Sequence, residues 1–217
     1  MRQTVIEAVL EHKLIAILRA IEPDKLIPLA QALYDGGIRL LEITYSADGK
    51  VPDEVTAANI RRLVHHFEGR LLIGAGTVLT ARQVQLTKEA GGLFIISPNT
   101  DEEVITETVQ LGMVSMPGAF TPTEIAATHK MGADFVKIFP AGLMGPEYIK
   151  AVAAPLSQIR MLAVGGIEIG SMADYLKAGA CGFGISSSLT DKAKIAACDW
   201  EGITALAKQY TEVLQNG

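Results

Sequence analysis

The chain has 217 residues, 49% hydrophobic and 20% charged, which suffices for one substantial core and fits a soluble, enzyme-like domain better than a disordered or fibrous chain. A formal net charge of −5 leaves no basic footprint for nucleic acid or an anionic membrane surface, while a local basic pocket for a small anion stays compatible with it. Cys181 and Cys198, with no CxxC pair and no secretory start, read as reduced thiols of a cytoplasmic protein, and no apolar run reaches the roughly 18 to 20 residues of a membrane span.

Along the chain, short apolar runs alternate with longer segments of helical period. Met1 to Glu11 reads as a short amphipathic helix. Leu14 to Leu18 is a first strand ending at Arg19. A helix over Pro23 to Tyr34 follows, with Leu26, Ile27, Leu29, Ala30 and Leu33 on one face and Gly36-Gly37 as its stop. Arg39 to Thr44 forms the second strand and Asp53 to Phe67 the second helix. The third unit pairs Leu71 to Ala75 with a helix from Thr80, a plausible N-cap, to Ala90. The fourth pairs Leu93 to Ile96 with Asp101 to Leu111. Met113 to Met116 is the fifth strand, and Thr121-Pro122-Thr123-Glu124 opens its helix with a cap, a first-turn proline and an acid. Phe135 to Phe139 is the sixth strand, followed by a helix from Pro146 to Ala153. Met161 to Val164 and Ser171 to Ala178 make the seventh unit, Gly182 to Ile185 the eighth strand, and Trp200 to Leu214 a final helix.

Eight such alternations predict an α/β fold, a (β/α)8 TIM barrel with an additional N-terminal helix, spanning residues 1–217 as one domain. A doubly wound open sheet would want a Gly-x-Gly-x-x-Gly after the first strand, and Leu18-Arg19-Ala20-Ile21 has none.

In a barrel, active sites gather at the C-terminal strand ends, and the unusual polar residues fall there: Arg19, Glu42 with Thr44, Thr77, Ser97 with Asn99, and Lys137. Lys137 sits among apolar and aromatic neighbours in a strand read as buried on both faces. Burial lowers a lysine pKa, and a partly neutral lysine is a nucleophile able to form a Schiff base. The same lysine could instead snorkel out of the strand end, pair with a carboxylate or bind a phosphate. Glu42 alternates with Leu40 and Thr44 on one strand face, so its carboxylate points into the barrel mouth as a general base or as a structural partner of Arg19 or Lys137. Gly165-Gly166 and Ser186-Ser187-Ser188 follow the last two strands, where barrels often hold a phosphate on backbone N–H groups. His12, His65, His66 and His129 fall in helical or linking segments, so no metal set is expected.

The runs Ile15-Ala16-Ile17-Leu18-Arg19, Leu41-Glu42-Ile43-Thr44, Ile73-Gly74-Ala75-Gly76-Thr77-Val78, Ile96-Ser97-Pro98, Met116-Pro117-Gly118, Val136-Lys137-Ile138-Phe139-Pro140 and Val164-Gly165-Gly166-Ile167 span almost the whole chain. Together they resemble the successive motifs of the 2-keto-3-deoxy-6-phosphogluconate and 4-hydroxy-2-oxoglutarate aldolase family, including its 6-phosphogalactonate branch. The resemblance implies a class I aldolase of (β/α)8 fold that needs no metal or cofactor, acts on a small 2-keto acid and assembles as a homotrimer. By motif, Lys137 matches the Schiff-base lysine and Glu42 the proton-shuttling glutamate. Arg19 and Thr77 match positions that hold the pyruvyl carboxylate or nearby oxygens. Pro98 and Phe139 are carried over as substrate-binding, and Gly165, Gly166, Ser186 and Ser187 as the phosphate cup.

Two departures bear on substrate choice. Relatives often carry an arginine shortly after the strand-two threonine, where this chain reads Tyr45-Ser46-Ala47, and Ser186 stands where glycine is common in the cup. The implied reaction is retro-aldol cleavage of a 2-keto-3-deoxy-6-phospho sugar acid to pyruvate and glyceraldehyde 3-phosphate. The alternatives are 4-hydroxy-2-oxoglutarate cleavage to pyruvate and glyoxylate, a phosphate-binding barrel isomerase or epimerase, and a non-catalytic sugar-acid binder.

Overall fold

The computed structural model of the chain describes residues 1–215. Its strands are β1 (Leu14–Leu18), β2 (Leu40–Thr44), β3 (Leu72–Gly76), β4 (Phe94–Ile96), β5 (Val114–Met116), β6 (Gly118–Ala119), β7 (Val136–Ile138), β8 (Met161–Val164) and β9 (Ala180–Ile185). Every neighbouring pair is parallel, in the order β5-β4-β3-β2-β1-β9-β8-β7-β6. The two ends of that order are consecutive pieces of one chain segment, so the ring closes through Pro117. The apolar run by itself ends this strand at Met116. Proline has no N–H to offer a ladder and breaks the segment, and beyond it the chain changes partner. Before the break β5 pairs with β4, and after it β6 pairs with β7, while the Pro117 carbonyl accepts from Lys137 N at 2.9 Å. Eight staves therefore stand as expected, one of them in two pieces.

The outer helices are α2 (Leu26–Asp35), α3 (Asp53–Phe67), α4 (Ala81–Glu89), α5 (Glu102–Gln110), α6 (Pro122–Lys130), α7 (Pro146–Ala153), α8 (Met172–Lys177), α9 (Lys192–Ala196) and α10 (Trp200–Gln215). The expected caps are present. Thr80 and Asp101 accept from the N3 amides of α4 and α5, and Thr121 with Glu124 forms a reciprocal capping box at α6. The five-residue α9 is not among the elements expected from sequence, because it carries no long apolar period.

Two apolar layers follow from strand alternation. Leu14, Ala16, Leu18, Leu41, Ile43, Ile73, Ala75 and Ile95 face the helices. Ile15, Ile17, Leu40, Phe94, Ile96, Val114, Met116, Phe135, Leu162 and Val164 fill the barrel, together with Val5, Ile6 and Val9 of α1 (Arg2–His12). Because α1 runs directly into the start of β1, it plugs the N-terminal end of the barrel. Arg2 fixes it there by an ion pair to Asp134 at 3.0 Å, and Asp134 also accepts from Ser115 N. The opposite end is left open for polar groups. No helix among the described residues is long and apolar enough to cross a membrane.

Candidate active site

Two ionisable side chains sit on the inner face above the apolar plug. Lys137 is the middle residue of β7 and 7% exposed, and Glu42 is the middle residue of β2 and 1% exposed. Each shares its face with a barrel-filling residue two positions earlier, Phe135 just before β7 for the lysine and Leu40 of β2 for the glutamate. Burial pushes the Lys137 ammonium below the ordinary lysine range, the Arg19 charge pushes the same way, and the Glu42 charge opposes both. Burial likewise lifts the Glu42 carboxyl above its usual range, against the pull of Lys137 and Arg19. Among the described residues no hydrogen bond or close ion pair joins them, and Glu42 Oε2 is fully buried without a partner. A lysine made less basic by burial, beside a carboxyl made less acidic by it, can serve as nucleophile and proton carrier.

The Glu42 carboxylate reaches its place by crossing β3 where that strand has no side chain. A Cβ on Gly76 would lie 1.6 Å from Glu42 Oε1 and 2.1 Å from Cδ. One turn of the pleat lower, a Cβ on Gly74 would meet the Phe94 ring at 2.2 Å. Neither glycine was singled out for a role from sequence. The available signal was a Gly-x-Gly inside an apolar strand, which marks close approach of another group.

The remaining expected residues ring the mouth. Thr77 follows β3, half-buried, with φ of 54°, a left-handed backbone that costs a β-branched residue roughly 1–2 kcal/mol. Pro98 is half-buried after β4, and its carbonyl lies where a Cβ on Gly118 would stand, at 2.3 Å. Phe139 is 39% exposed and holds its ring centroid 4.9 Å from Lys137 Nζ. The turn after β8 packs beneath that ring: Gly165 (φ 89°) leaves only 2.9 Å between a built Cβ and Phe139, and Gly142 N donates to the Gly165 carbonyl at 2.8 Å. Ser97, at the β4 exit, is fully buried with its hydroxyl unpartnered.

A cavity of about 560 Å³ opens beside this centre, between the β1–α2 loop and the β9–α9 turn. Arg19, Lys25 and Lys192 bring positive charge to its wall, with Ser186 and Ser187 as hydroxyl donors, while the Thr190 hydroxyl donates to the Ser186 carbonyl at 3.1 Å. Its one carboxylate, Glu22, is tied to Lys25 at 2.8 Å. The Ser186 carbonyl accepts from both Leu189 N and Thr190 N at 2.8 Å, which holds the serine turn in shape. Gly165 and Gly166 are not on this wall, so the two turns expected to form one cup sit on neighbouring strands, with only the serine turn facing the cavity. Arg19 links both regions, since its charge acts on Glu42 and Lys137 while its side chain lines the cavity. Lys192 went unread because it belongs to the missed α9. The four histidines lie at the end of α1, the end of α3 and within α6, away from the mouth, and no cluster of potential metal ligands occurs among the described residues.

Known proteins bear on this geometry. The chain is 40% identical over 181 residues to the probable 2-dehydro-3-deoxy-6-phosphogalactonate aldolase of Rhizobium meliloti (strain 1021), covering 83% of this chain and 82% of that one. The KDPG aldolase from Legionella pneumophila, solved with pyruvate captured at low pH as a covalent carbinolamine intermediate, superimposes with a TM-score of 0.84 at 29% identity over 94% of this chain and 96% of that one. A cube-shaped, highly porous protein cage designed by fusing symmetric oligomeric domains matches with a TM-score of 0.83 at 34% identity, over 94% of this chain and 72% of that one. The family model described as "Aldolase: KDPG and KHG aldolase" matches residues 5–206, and the chain belongs to that family.

Proposed function

We propose that the chain, acting as one barrel domain over residues 1–217, cleaves a 2-keto-3-deoxy-6-phospho sugar acid of gluconate or galactonate type to pyruvate and glyceraldehyde 3-phosphate. The observation that carries this reading is Lys137, buried on the inner face at the barrel mouth with its basicity lowered, together with a buried, unpartnered Glu42 carboxylate. The neutral Lys137 amine attacks C2 of the keto acid, and loss of water from the carbinolamine leaves an iminium. Glu42 takes the C4 hydroxyl proton. The C3–C4 bond breaks, its electron pair moves into the iminium to give an enamine, and the aldehyde departs. Protonation of the enamine carbon and hydrolysis release pyruvate and restore the lysine.

Arg19 and Thr77 hold the substrate carboxylate, Pro98 and Phe139 flank the keto-acid end, and the phosphate is taken by Ser186 and Ser187 from the cavity and by Gly165 and Gly166 from the adjoining turn after β8. The positive charges of the adjoining cavity support an anionic distal group. No cofactor enters these steps. Cytoplasmic residence is part of this reading and is supported by the free thiols Cys181 and Cys198. A homotrimer is part of the same reading, supported by the match to a cage built from symmetric oligomeric domains and by exposed apolar Leu143 and Met144 beside the mouth.

Borohydride reduction in the presence of pyruvate, followed by peptide mapping, tests the central claim. A stable adduct on Lys137 is expected, and an adduct on another lysine, or none, refutes it. A panel of both phosphorylated epimers and 4-hydroxy-2-oxoglutarate then assigns the aldehyde partner.

A further inference from the structure

Thr77 is the β-branched residue that the fold holds in left-handed backbone, with φ of 54°. Its hydroxyl makes no hydrogen bond among the described residues, so the conformation is not maintained by its own side chain. Strained backbone of this kind persists only where the surroundings over-determine it. The loop that carries it, Thr77 to Thr80, is held by few groups. Val78 N donates to the Ile96 carbonyl at 3.2 Å, and Leu79 N donates to the Gln83 side-chain oxygen at 2.8 Å.

Gln83 is nearly buried, and its other side-chain atom donates to Asp53 Oδ1 at 3.0 Å. Asp53 opens α3, so one amide side chain bridges the loop after β3 to the helix after β2. The backbone of Gln83 is held as well. Its N–H donates to the Thr80 hydroxyl, and its carbonyl accepts from the Tyr45 and Thr87 hydroxyls at 3.2 and 2.8 Å. Tyr45 in turn donates its own N–H to the Gly76 carbonyl at 2.8 Å, immediately before Thr77. The tethers on the loop therefore return to Gln83, to Tyr45 just after β2 and to Ile96 at the end of β4. The donor and acceptor ends of the amide are both used, and in opposite senses, which neither a carboxylate nor an ammonium could reproduce against Asp53.

We propose that Gln83 is a positioning residue for the aldol reaction, holding the Thr77 loop in its strained shape through the Leu79–Gln83–Asp53 relay so that the Thr77 hydroxyl and amide face the keto-acid carboxylate. This rests on the reading that Thr77 contacts substrate. A merely structural Gln83 would alter stability and leave the substrate affinity of the folded protein unchanged.

Gln83→Glu sets two carboxylates against each other. Adding Asp53→Asn restores a donor facing an acceptor with the direction reversed. Steady-state cleavage is measured on folded protein for both, alongside Thr77→Val. Expected are a KM raised about tenfold in Thr77→Val and in Gln83→Glu, the scale of one lost hydrogen bond, and recovery to within about twofold in the Gln83→Glu, Asp53→Asn pair. The KM defect of Gln83→Glu also shrinks as pH falls into the carboxylate range, because a protonated carboxyl can again donate to Asp53. A raised KM in Thr77→Val with none in Gln83→Glu overturns the relay and spares the Thr77 reading. An unchanged KM in Thr77→Val overturns the Thr77 reading and the relay with it, and failure of the double variant to recover overturns the relay alone. Should Gln83→Glu not fold, Asp53→Ala cuts the relay from its half-exposed end and carries the same expectations.

Discussion

Gly76→Ala puts the smallest possible side chain where the Glu42 carboxylate now lies. The new Cβ would stand 1.6 Å from Oε1, 2.1 Å from Cδ and 2.5 Å from Cγ, whereas ordinary contact begins near 3.4 Å, so the carboxylate must retreat by roughly 2 Å. Gly76 lies in strand backbone that alanine adopts freely, and alanine in a strand is favoured over glycine by roughly 0.5–1 kcal/mol, so the ladder itself is not the casualty. Misplacement of a reacting group by about 1 Å can cost about 100-fold, and a positioned proton carrier contributes about 10²- to 10⁴-fold. Turnover should therefore fall by about 10²- to 10³-fold, which is about 3–4 kcal/mol in activation free energy. Pyruvate release reads the cleavage rate, borohydride trapping with pyruvate reads the Lys137 imine, and a thermal melt reads the fold. The expected pattern is lost cleavage with trapping and melting retained. A well-folded Gly76→Ala protein that cleaves within about threefold of the parent would refute the claim that Glu42 must lie where it does.

Three further outcomes follow from the electrostatics. Arg19 lowers the Lys137 pKa, so in Arg19→Gln the pH profile of borohydride trapping should move to higher pH, towards the ordinary lysine range; a profile that stays in place separates Arg19 from the lysine. The folded-state pKa of Glu42 is raised, so the parent binds more protons folded than unfolded and loses stability as pH rises from about 4.5 through the raised value. Glu42→Gln lacks that loss, and its urea midpoint should exceed the parent's by a margin that opens with rising pH; a margin independent of pH denies the buried ionisation. Lys192→Ala removes one positive charge from the cavity wall and should raise KM for a phosphorylated substrate about 3- to 10-fold while sparing 4-hydroxy-2-oxoglutarate, an effect that added salt masks in the parent. Equal effects on both substrates would place the phosphate elsewhere.

Glu42 and Lys137 show why much of the site was legible in the linear chain. A charged residue inside a short apolar strand is costly enough to stand out, and period-two alternation already places it on the face shared with Leu40 or Phe135. The βα units were legible for a similar reason: buried parallel strands are continuous apolar runs, and helices such as α3 announce themselves by period and α6 by its capping box. What failed was local in each case. The fifth stave continues past Pro117 only because the Lys137 and Phe139 amides, distant in sequence, find carbonyls there. The five-residue α9 is too short to show a period, and Lys192 was lost with it.

Residue identity by itself determined the eight βα units, the amphipathic helix before them and the inward lysine and glutamate, because each rests on patterning along one element. Only the tertiary structure decided that Gly76 clears a path for Glu42, that Gln83 ties the Thr77 loop to Asp53, and that the serine turn faces Arg19, Lys25 and Lys192 while Gly165 turns beneath Phe139. Those relations join groups on different strands, helices and loops at distances of a few ångströms. Closing the ring sets such distances, and no spacing along the chain encodes them.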